Sequence, residues 1–327
     1  MIISQTPFRV SFAGGGTDMA DFYRHDYGAV VSTAIDKFVY LAIHRFFERQ
    51  FVLKYSRTET CADIDSIQHP LIRECLRAAG TKDFLEITSF ADIPSTGSGL
   101  GSSSAFSVGL MHALLVQQGR MPSHETCAAL ACEIEIERLG DPIGKQDQYA
   151  AAYGGMNYIR FLPDGSVQVD PIVMAQGLRE GLEQRLMLFY TGVTRKAGDI
   201  LTEQKKNITA DAQLRRHLTR MRDQADELRV ELGNGNIAAV GATLHEGWCL
   251  KKQLASGISA PGLDDIYERA TKAGAAGGKI LGAGGGGFFL FYVEPERQDA
   301  VKAALADLRP VDFRLERQGT RIIYVGD

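Results

Sequence analysis

A chain of 327 residues, 45% of them hydrophobic and 23% charged, is long enough for about two domains with a sizeable core. Its 36 basic against 40 acidic side chains leave a net charge of −4, which argues against a nucleic-acid surface; a small anion could still be held by backbone N–H groups and a few basic side chains. The first residues lack a charged stretch followed by an apolar run, and no segment approaches the roughly 20 apolar residues of a membrane span, so a cytoplasmic protein without a membrane or nucleic-acid partner is expected.

In chain order, residues 9–12 are strand-like and break at Gly14-Gly15-Gly16. Residues 29–46, rich in Val, Ile, Tyr and Phe, predict two extended segments meeting near Asp36-Lys37, and residues 51–55 predict another strand. A helix is expected over 69–79 and a strand over 84–90 that leads into Pro94. The Gly/Ser run 95–104 passes directly into a buried helix over 105–118, and helices over 125–139 and 146–153 follow. Residues 156–161 and 166–169, separated by Pro163-Asp164-Gly165, carry a hairpin signal. A boundary near 170–183 divides the chain into units of 1–175 and 176–327. Beyond it, 185–190 reads as a strand, and Leu214, Leu218, Met221, Ala225, Leu228 and Leu232 recur at helical spacing. A helix over 237–254, a strand over 288–293, a helix over 298–308 and a final hairpin through Gln318-Gly319 complete the pattern. Its irregular alternation predicts an α+β protein of two domains. The five cysteines include no CxxC pair and are odd in number, which argues against zinc and against a disulfide framework.

The segment PSTGSGLGSSSA at 94–105 is the most informative. Glycines let the backbone take positive φ and approach a ligand, serines cap a helix, and the free N–H groups of the apolar helix that follows face whatever the loop surrounds. This is an anion site suited to nucleotide phosphates. It is not a Walker A loop, because no Lys-Ser/Thr follows the last glycine. Nor is it a dinucleotide fingerprint, because Gly97, Gly99 and Gly101 are spaced GxGxG. A second glycine run, KILGAGGGGF at 279–288, satisfies GxGxxG but leads into a strand rather than a helix, and so fails the context of that fingerprint.

The first loop resembles the P-x-x-x-G-L-G-S-S-[AS]-A loop of the GHMP kinases, and two further segments resemble motifs of the same family: PFRVSFAGGGTD at 7–18 and the 279–288 run. The resemblance implies a two-domain GHMP kinase fold, with a ribosomal-protein-like N-terminal domain that binds ATP and a ferredoxin-like C-terminal domain. It implies that Pro94, Gly97, Ser98, Gly99, Leu100, Gly101, Ser102, Ser103 and Ser104 wrap ATP, with Ser103 helping to hold Mg²⁺. The same resemblance assigns Asp147, in the segment DPIGKQDQY at 141–149, as the group that orients the acceptor hydroxyl and takes its proton, with Arg9 beside it. Glu137 is assigned as the metal carboxylate, because Glu137-Arg138 matches the family's Glu-Arg pair, although Glu133 and Glu135 lie close by. On the substrate side it implies Asp18, with Gly15, Gly16 and Thr17 in the first glycine turn and Gly284 and Gly285 in the last. Helix capping competes as an explanation for Asp18 and for Asp147.

The wording of residues 7–23 resembles most closely the branch of the family that serves bacterial surface-polysaccharide precursor synthesis. That implies transfer to the anomeric hydroxyl of D-glycero-D-manno-heptose 7-phosphate, giving a 1,7-bisphosphate. Lys37 and Arg195 are the candidates for holding the phosphate already on such a sugar. An unphosphorylated acceptor such as L-fucose or galactose, and a non-catalytic sensor of ATP and sugar, are the competing readings. Members of the family occur as monomers and as homodimers, and the sequence does not choose between them.

Overall fold

The computed structural model describes residues 1–93, 97–193 and 197–326. The strands are β1 (Ile2–Ala13), β2 (Gly28–Arg45), β3 (Phe51–Lys54), β4 (Thr58–Cys61), β5 (Leu85–Ala91), β6 (Met156–Phe161), β7 (Val167–Pro171), β8 (Leu186–Tyr190), β9 (Ala275–Ile280), β10 (Phe288–Val293), β11 (Arg309–Val311) and β12 (Arg321–Val325). The α-helices are α1 (Ala20–Tyr23), α2 (Pro70–Ala79), α3 (Ser102–Gln117), α4 (His124–Cys132), α5 (Gln146–Tyr153), α6 (Gln176–Glu183), α7 (Ala197–Ala210), α8 (Ala212–Gly233), α9 (Ala239–Lys251), α10 (Pro261–Ala273) and α11 (Gln298–Ala304).

The larger sheet runs β12-β1-β2-β5-β3-β4, with β6 paired to the first half of β2 and β7 to β6. The smaller is β11-β8-β10-β9, antiparallel throughout. This is the α+β architecture expected. The predicted two segments over 29–46 are instead one long strand. The register with β1 steps from Pro7↔Phe38 to Phe8↔Ile35, so Asp36 and Lys37 are extruded as a bulge. There Lys37 Nζ lies 3.2 Å from its neighbour Asp36, whose other carboxylate contact is the Arg314 N–H at 2.8 Å.

The expected terminal hairpin does not form. β11 closes the small sheet, and the chain then crosses back so that β12 pairs with β1 in the large one. Thr320, at that return, shares a 2.8 Å hydrogen bond with Thr6 of β1 and lies 3.2 Å from His112 of α3. Residues 176–327 therefore do not close on themselves, and the last strand ties the second half to the first. Helices α1, α6, α7 and α10 are additions to the predicted set.

α3 is buried along most of its length and lies directly on β1. Ser4 of β1 donates to the Gly109 carbonyl at 2.9 Å, and a β-carbon at Gly109 would stand 2.5 Å from Thr6 Oγ1. The absence of a side chain at 109 thus sets how closely the helix approaches the strand. Gly109→Val is expected to destabilise the protein by about 1–3 kcal/mol, the usual cost of overpacking, read as a lower urea midpoint at unchanged m-value.

Candidate active site

The phosphate loop takes its shape from alternate glycines. Gly97, Gly99 and Gly101 have φ of 67°, 74° and 75°, a conformation that L side chains rarely adopt. Between them Ser98 and Leu100 point inward and are buried. Leu100 anchors the loop to β1, its carbonyl accepting the Arg9 N–H at 3.1 Å. Gly101 is the N-cap of α3 and supplies no side-chain cap, so the positive end of a 16-residue helix opens onto the loop.

The second glycine run packs against this loop from the other half of the chain. It is a turn between β9 and β10, closed by a 2.9 Å bond from the Leu281 N–H to the Phe288 carbonyl, so the dinucleotide reading fails in the structure as it does in the sequence. A β-carbon on Gly99 would lie 2.4 Å from the Leu281 carbonyl oxygen, and one on Gly287 would lie 2.6 Å from that of Ser98. The two backbones meet with no room for side chains.

Between the loops is a cleft of about 370 Å³. Arg9 of β1 and Asp147, in the first turn of α5, form a two-toothed ion pair at its floor. Arg9 Nε donates to Asp147 Oδ1 and its terminal nitrogen to Oδ2, both at 2.6 Å. The remaining nitrogen donates to the Gly99 carbonyl at 2.7 Å, so one guanidinium joins the carboxylate to the phosphate loop. Asp147 keeps about a quarter of its side-chain surface open to the cleft, whereas Arg9 is buried.

Asp18 lies beside this pair and is buried. Its carboxylate accepts from Gly16 N–H at 3.0 Å, Gln146 N–H at 3.1 Å and Gln146 Nε2 at 3.2 Å. It therefore caps α5, the helix that carries Asp147, and also lines the cleft. Burial raises its pKa, and the charge of Asp147 adds to the rise. Gly15 and Gly16 line the cleft as well.

Several expected site residues stand elsewhere. Thr17 is a fully buried clamp of the first glycine turn, its hydroxyl donating to Gly14 O at 2.8 Å and accepting from Ala29 N–H at 3.0 Å. Gly282 and Ala283, rather than Gly284 and Gly285, line the cleft; the latter two pack against Ile258, whose carbonyl accepts the Gly285 N–H at 2.8 Å. Lys37 is held at its bulge by Asp36 and is not part of the cleft. Pro94 and Arg195 lie outside the described residues.

The carboxylate that meets the phosphate loop is not the expected Glu137. α4 does not continue as an α-helix but widens into a π-helical turn over Glu133–Arg138. This brings Glu135 inward and leaves Glu137 exposed. Glu135 is fully buried, accepts from Ser103 Oγ at 2.9 Å and is contacted by Gln148 Nε2 at 2.5 Å. Burial pushes its pKa up to about 7. No group of three or more His, Cys, Asp or Glu able to hold a metal occurs among the described residues. The donor set, one buried carboxylate with no cationic partner among the described residues and a hydroxyl beside the phosphate loop, suits a hard divalent ion that takes its other ligands from phosphate oxygens and water.

Two buried lysines also line the cleft, Lys251 at the end of α9 and Lys279 in β9. Lys251 had no sequence signal beyond its place in a predicted helix. A second cavity of about 390 Å³ adjoins, sharing Ser102 with the first and lined by Phe8, Val39, Tyr55, His69, Phe90, Ile93 and Phe106. In its wall the His69 and Phe106 rings stack at 5.7 Å, and Tyr55 meets His69 edge-on at 4.6 Å. A flat aromatic ring system fits such a lining.

A helix N-terminus wrapped by a glycine loop, next to a fixed carboxylate in a two-lobed cleft, defines a phosphoryl-transfer enzyme. The pattern of the GHMP kinases N terminal domain matches residues 68–155 and that of the GHMP kinases C terminal matches residues 228–309. The chain is 30% identical, over 98% of both lengths, to the D-glycero-alpha-D-manno-heptose 7-phosphate kinase of Campylobacter jejuni. It is 28% identical over 91% of its length to the bifunctional fucokinase/GDP-fucose pyrophosphorylase of Arabidopsis thaliana, of which it spans 30%. Among solved structures, a D-glycero-D-manno-heptose 1-phosphate kinase from Bacteroides thetaiotaomicron superposes with a TM-score of 0.82 at 26% identity, covering 100% of both chains. A Lactococcus lactis galactokinase superposes at 0.78 with 16% identity, over 98% of this chain and 94% of its own, and shares the fold. The chain belongs to the GHMP kinases. Within them it is a sugar kinase, a phosphotransferase acting on an alcohol group.

Arg9→Lys tests the junction directly. A lysine can supply the charge but cannot hold both carboxylate oxygens and Gly99 O at once. Expected is a fall in kcat of about 30-fold or more with a smaller change in KM, measured by steady-state ADP release.

Proposed function

We propose that this kinase uses ATP and Mg²⁺ to phosphorylate the anomeric hydroxyl of D-glycero-D-manno-heptose 7-phosphate, giving the 1,7-bisphosphate. The observation that carries the chemistry is the Arg9–Asp147 pair bonded to the carbonyl of Gly99 in the phosphate loop. The reading of the acceptor is supported by the 30% identity to the Campylobacter jejuni enzyme along the whole chain.

ATP would lie with its base in the aromatic cavity and its phosphates over Gly97–Ser104, facing the α3 N-terminus. Ser103 and Glu135 would hold Mg²⁺, which when bound neutralises charge on the phosphate oxygens. Asp147 would accept a hydrogen bond from the acceptor hydroxyl and take its proton as the hydroxyl oxygen bonds to the γ-phosphorus and the bond from that phosphorus to the β,γ-bridging oxygen breaks, ADP leaving with the electron pair. Arg9 keeps both carboxylate oxygens in place, so Asp147 cannot rotate away from the hydroxyl. Asp18 would receive a second sugar hydroxyl. Leu201 and Gln204 of α7 close one side of the cleft against water.

An unphosphorylated acceptor is the second reading, because fucokinase and galactokinase relatives also match over more than 90% of this chain. ADP release with ATP and Mg²⁺ on heptose 7-phosphate, fucose, galactose and mannose decides between them, with ³¹P NMR locating the new phosphate. Turnover on heptose 7-phosphate with an anomeric phosphate product is expected, and Asp147→Asn should lower kcat by about 100-fold or more. Turnover on neutral sugars alone would overturn the heptose assignment.

The metal reading makes a separate prediction. Glu135→Gln should raise the Mg²⁺ concentration needed for half-maximal rate by about 10-fold or more, whereas Glu137→Gln should match the unaltered protein. The reverse pattern would return the role to Glu137.

A further inference from the structure

The two buried lysines have no role in the mechanism proposed above. Lys279 is about 5% exposed and Lys251 about 7%, and both reach the cleft that Asp147 faces. Lys251 Nζ donates to the carbonyls of Gly282 and, at 3.3 Å, Ile280. Lys279 has neither a hydrogen bond nor an ion pair among the described residues, although Asp18 is near enough to attract it. The neighbouring charges are already committed. Arg9 is taken up by Asp147 and Gly99, and Asp18 accepts three N–H donors.

An ammonium group buried without a carboxylate is costly unless something else supplies negative charge. The strain is visible in Lys279, whose pKa is held down to about 8 by burial and then by the positive charge of Arg9. Lys251 is driven down by burial and by Lys279 itself. A neutral sugar would leave Lys279 without a partner, whereas a phosphate monoester, carrying close to two negative charges at neutral pH, would pair with it and favour the charged form of Lys251 behind it.

We propose that Lys279, backed by Lys251, forms an anion subsite for a phosphate already present on the acceptor sugar. This rests on the sugar-kinase reading above and makes the acceptor a sugar phosphate. The bound group is a phosphoryl oxyanion, which could come from the acceptor or from the γ-phosphoryl of ATP. The acceptor is favoured because both lysines belong to elements of the second half of the chain, β9 and α9, whereas the phosphate loop, Ser103 and Glu135 all belong to the first. Lys37, expected to serve this role, is already paired at its bulge.

The test is calorimetric binding without ATP, which removes the γ-phosphoryl from the experiment. Heptose 7-phosphate and the same heptose lacking the phosphate are titrated into the unaltered protein, Lys279→Met and Lys279→Arg. Lys279→Met should weaken binding of the phosphorylated sugar by about 30-fold or more, and Lys279→Arg should recover part of the loss. The ratio of affinities for the two sugars should collapse in the methionine variant. An equal loss for both sugars, or no loss, overturns the proposal. Should Lys279→Met fail to fold, as thermal melting would reveal, Lys279→Gln replaces it. In the unaltered protein, a preference of less than 10-fold for the phosphorylated sugar also counts against the subsite. Where neither heptose binds, the acceptor assignment fails on its own terms; inorganic phosphate titrated into the same proteins then decides the anion subsite, which is overturned if Lys279→Met binds it as the unaltered protein does.

Discussion

The site depends on one guanidinium being fully occupied. Arg9 sits in the middle of the first strand, buried, with three of its nitrogens spoken for: two by Asp147 and one by the Gly99 carbonyl. Removing the Asp147 carboxylate would leave the buried Arg9 charge uncompensated, at a cost of about 3–5 kcal/mol. The interaction therefore fixes the spacing of three elements at once: β1, the phosphate loop and the start of α5. A cleft carboxylate and a glycine loop at a helix N-terminus are held at a set distance before any ligand arrives, and phosphoryl transfer draws most of its catalysis from such positioning and charge.

The second constraint is the meeting of two glycine turns. A β-carbon on Gly99 would collide with the Leu281 carbonyl oxygen at 2.4 Å, and one on Gly282 with the Gly99 α-carbon at 2.5 Å. This contact joins the two halves of the chain at the cleft. The return of β12 to β1 joins them again on the far side of α3, through Thr6, Thr320 and His112. The site is thus built across both halves, with the Gly/Ser loop, Arg9 and Asp147 on the first and the two lysines on the second.

Much of this was legible in the sequence because it depends on local backbone chemistry. Glycines at alternate positions before an apolar helix state a phosphate loop in their own terms, and a strand after the last glycine run excludes a dinucleotide fold. Arg9, Asp18 and Asp147 were reached through the family resemblance and lie together at the cleft. The failures have physical causes. Glu137 matches the family's Glu-Arg pair in sequence, but the π-helical turn over Glu133–Arg138 leaves it exposed and places Glu135 inward, against Ser103. Thr17, Gly284 and Gly285 sit in the same glycine turns as cleft-lining neighbours, and only the fold shows that Thr17 turns into the core and that the last two glycines pack against Ile258. The long strand β2 read as two because its bulge at Asp36-Lys37 looks like a turn. Lys251 was invisible because a lysine in a helix is ordinarily solvated, and nothing local tells that this one points at Gly282.

The most direct test of the account is a double-mutant cycle on kcat/KM, using Asp147→Asn, Arg9→Lys and the pair together. If Arg9 acts by holding Asp147, the arginine change should matter little once the carboxylate is gone, giving a coupling of about 2 kcal/mol or more. Losses that simply add, with coupling below about 0.5 kcal/mol, would mean that the two residues serve the reaction independently and would contradict the central claim.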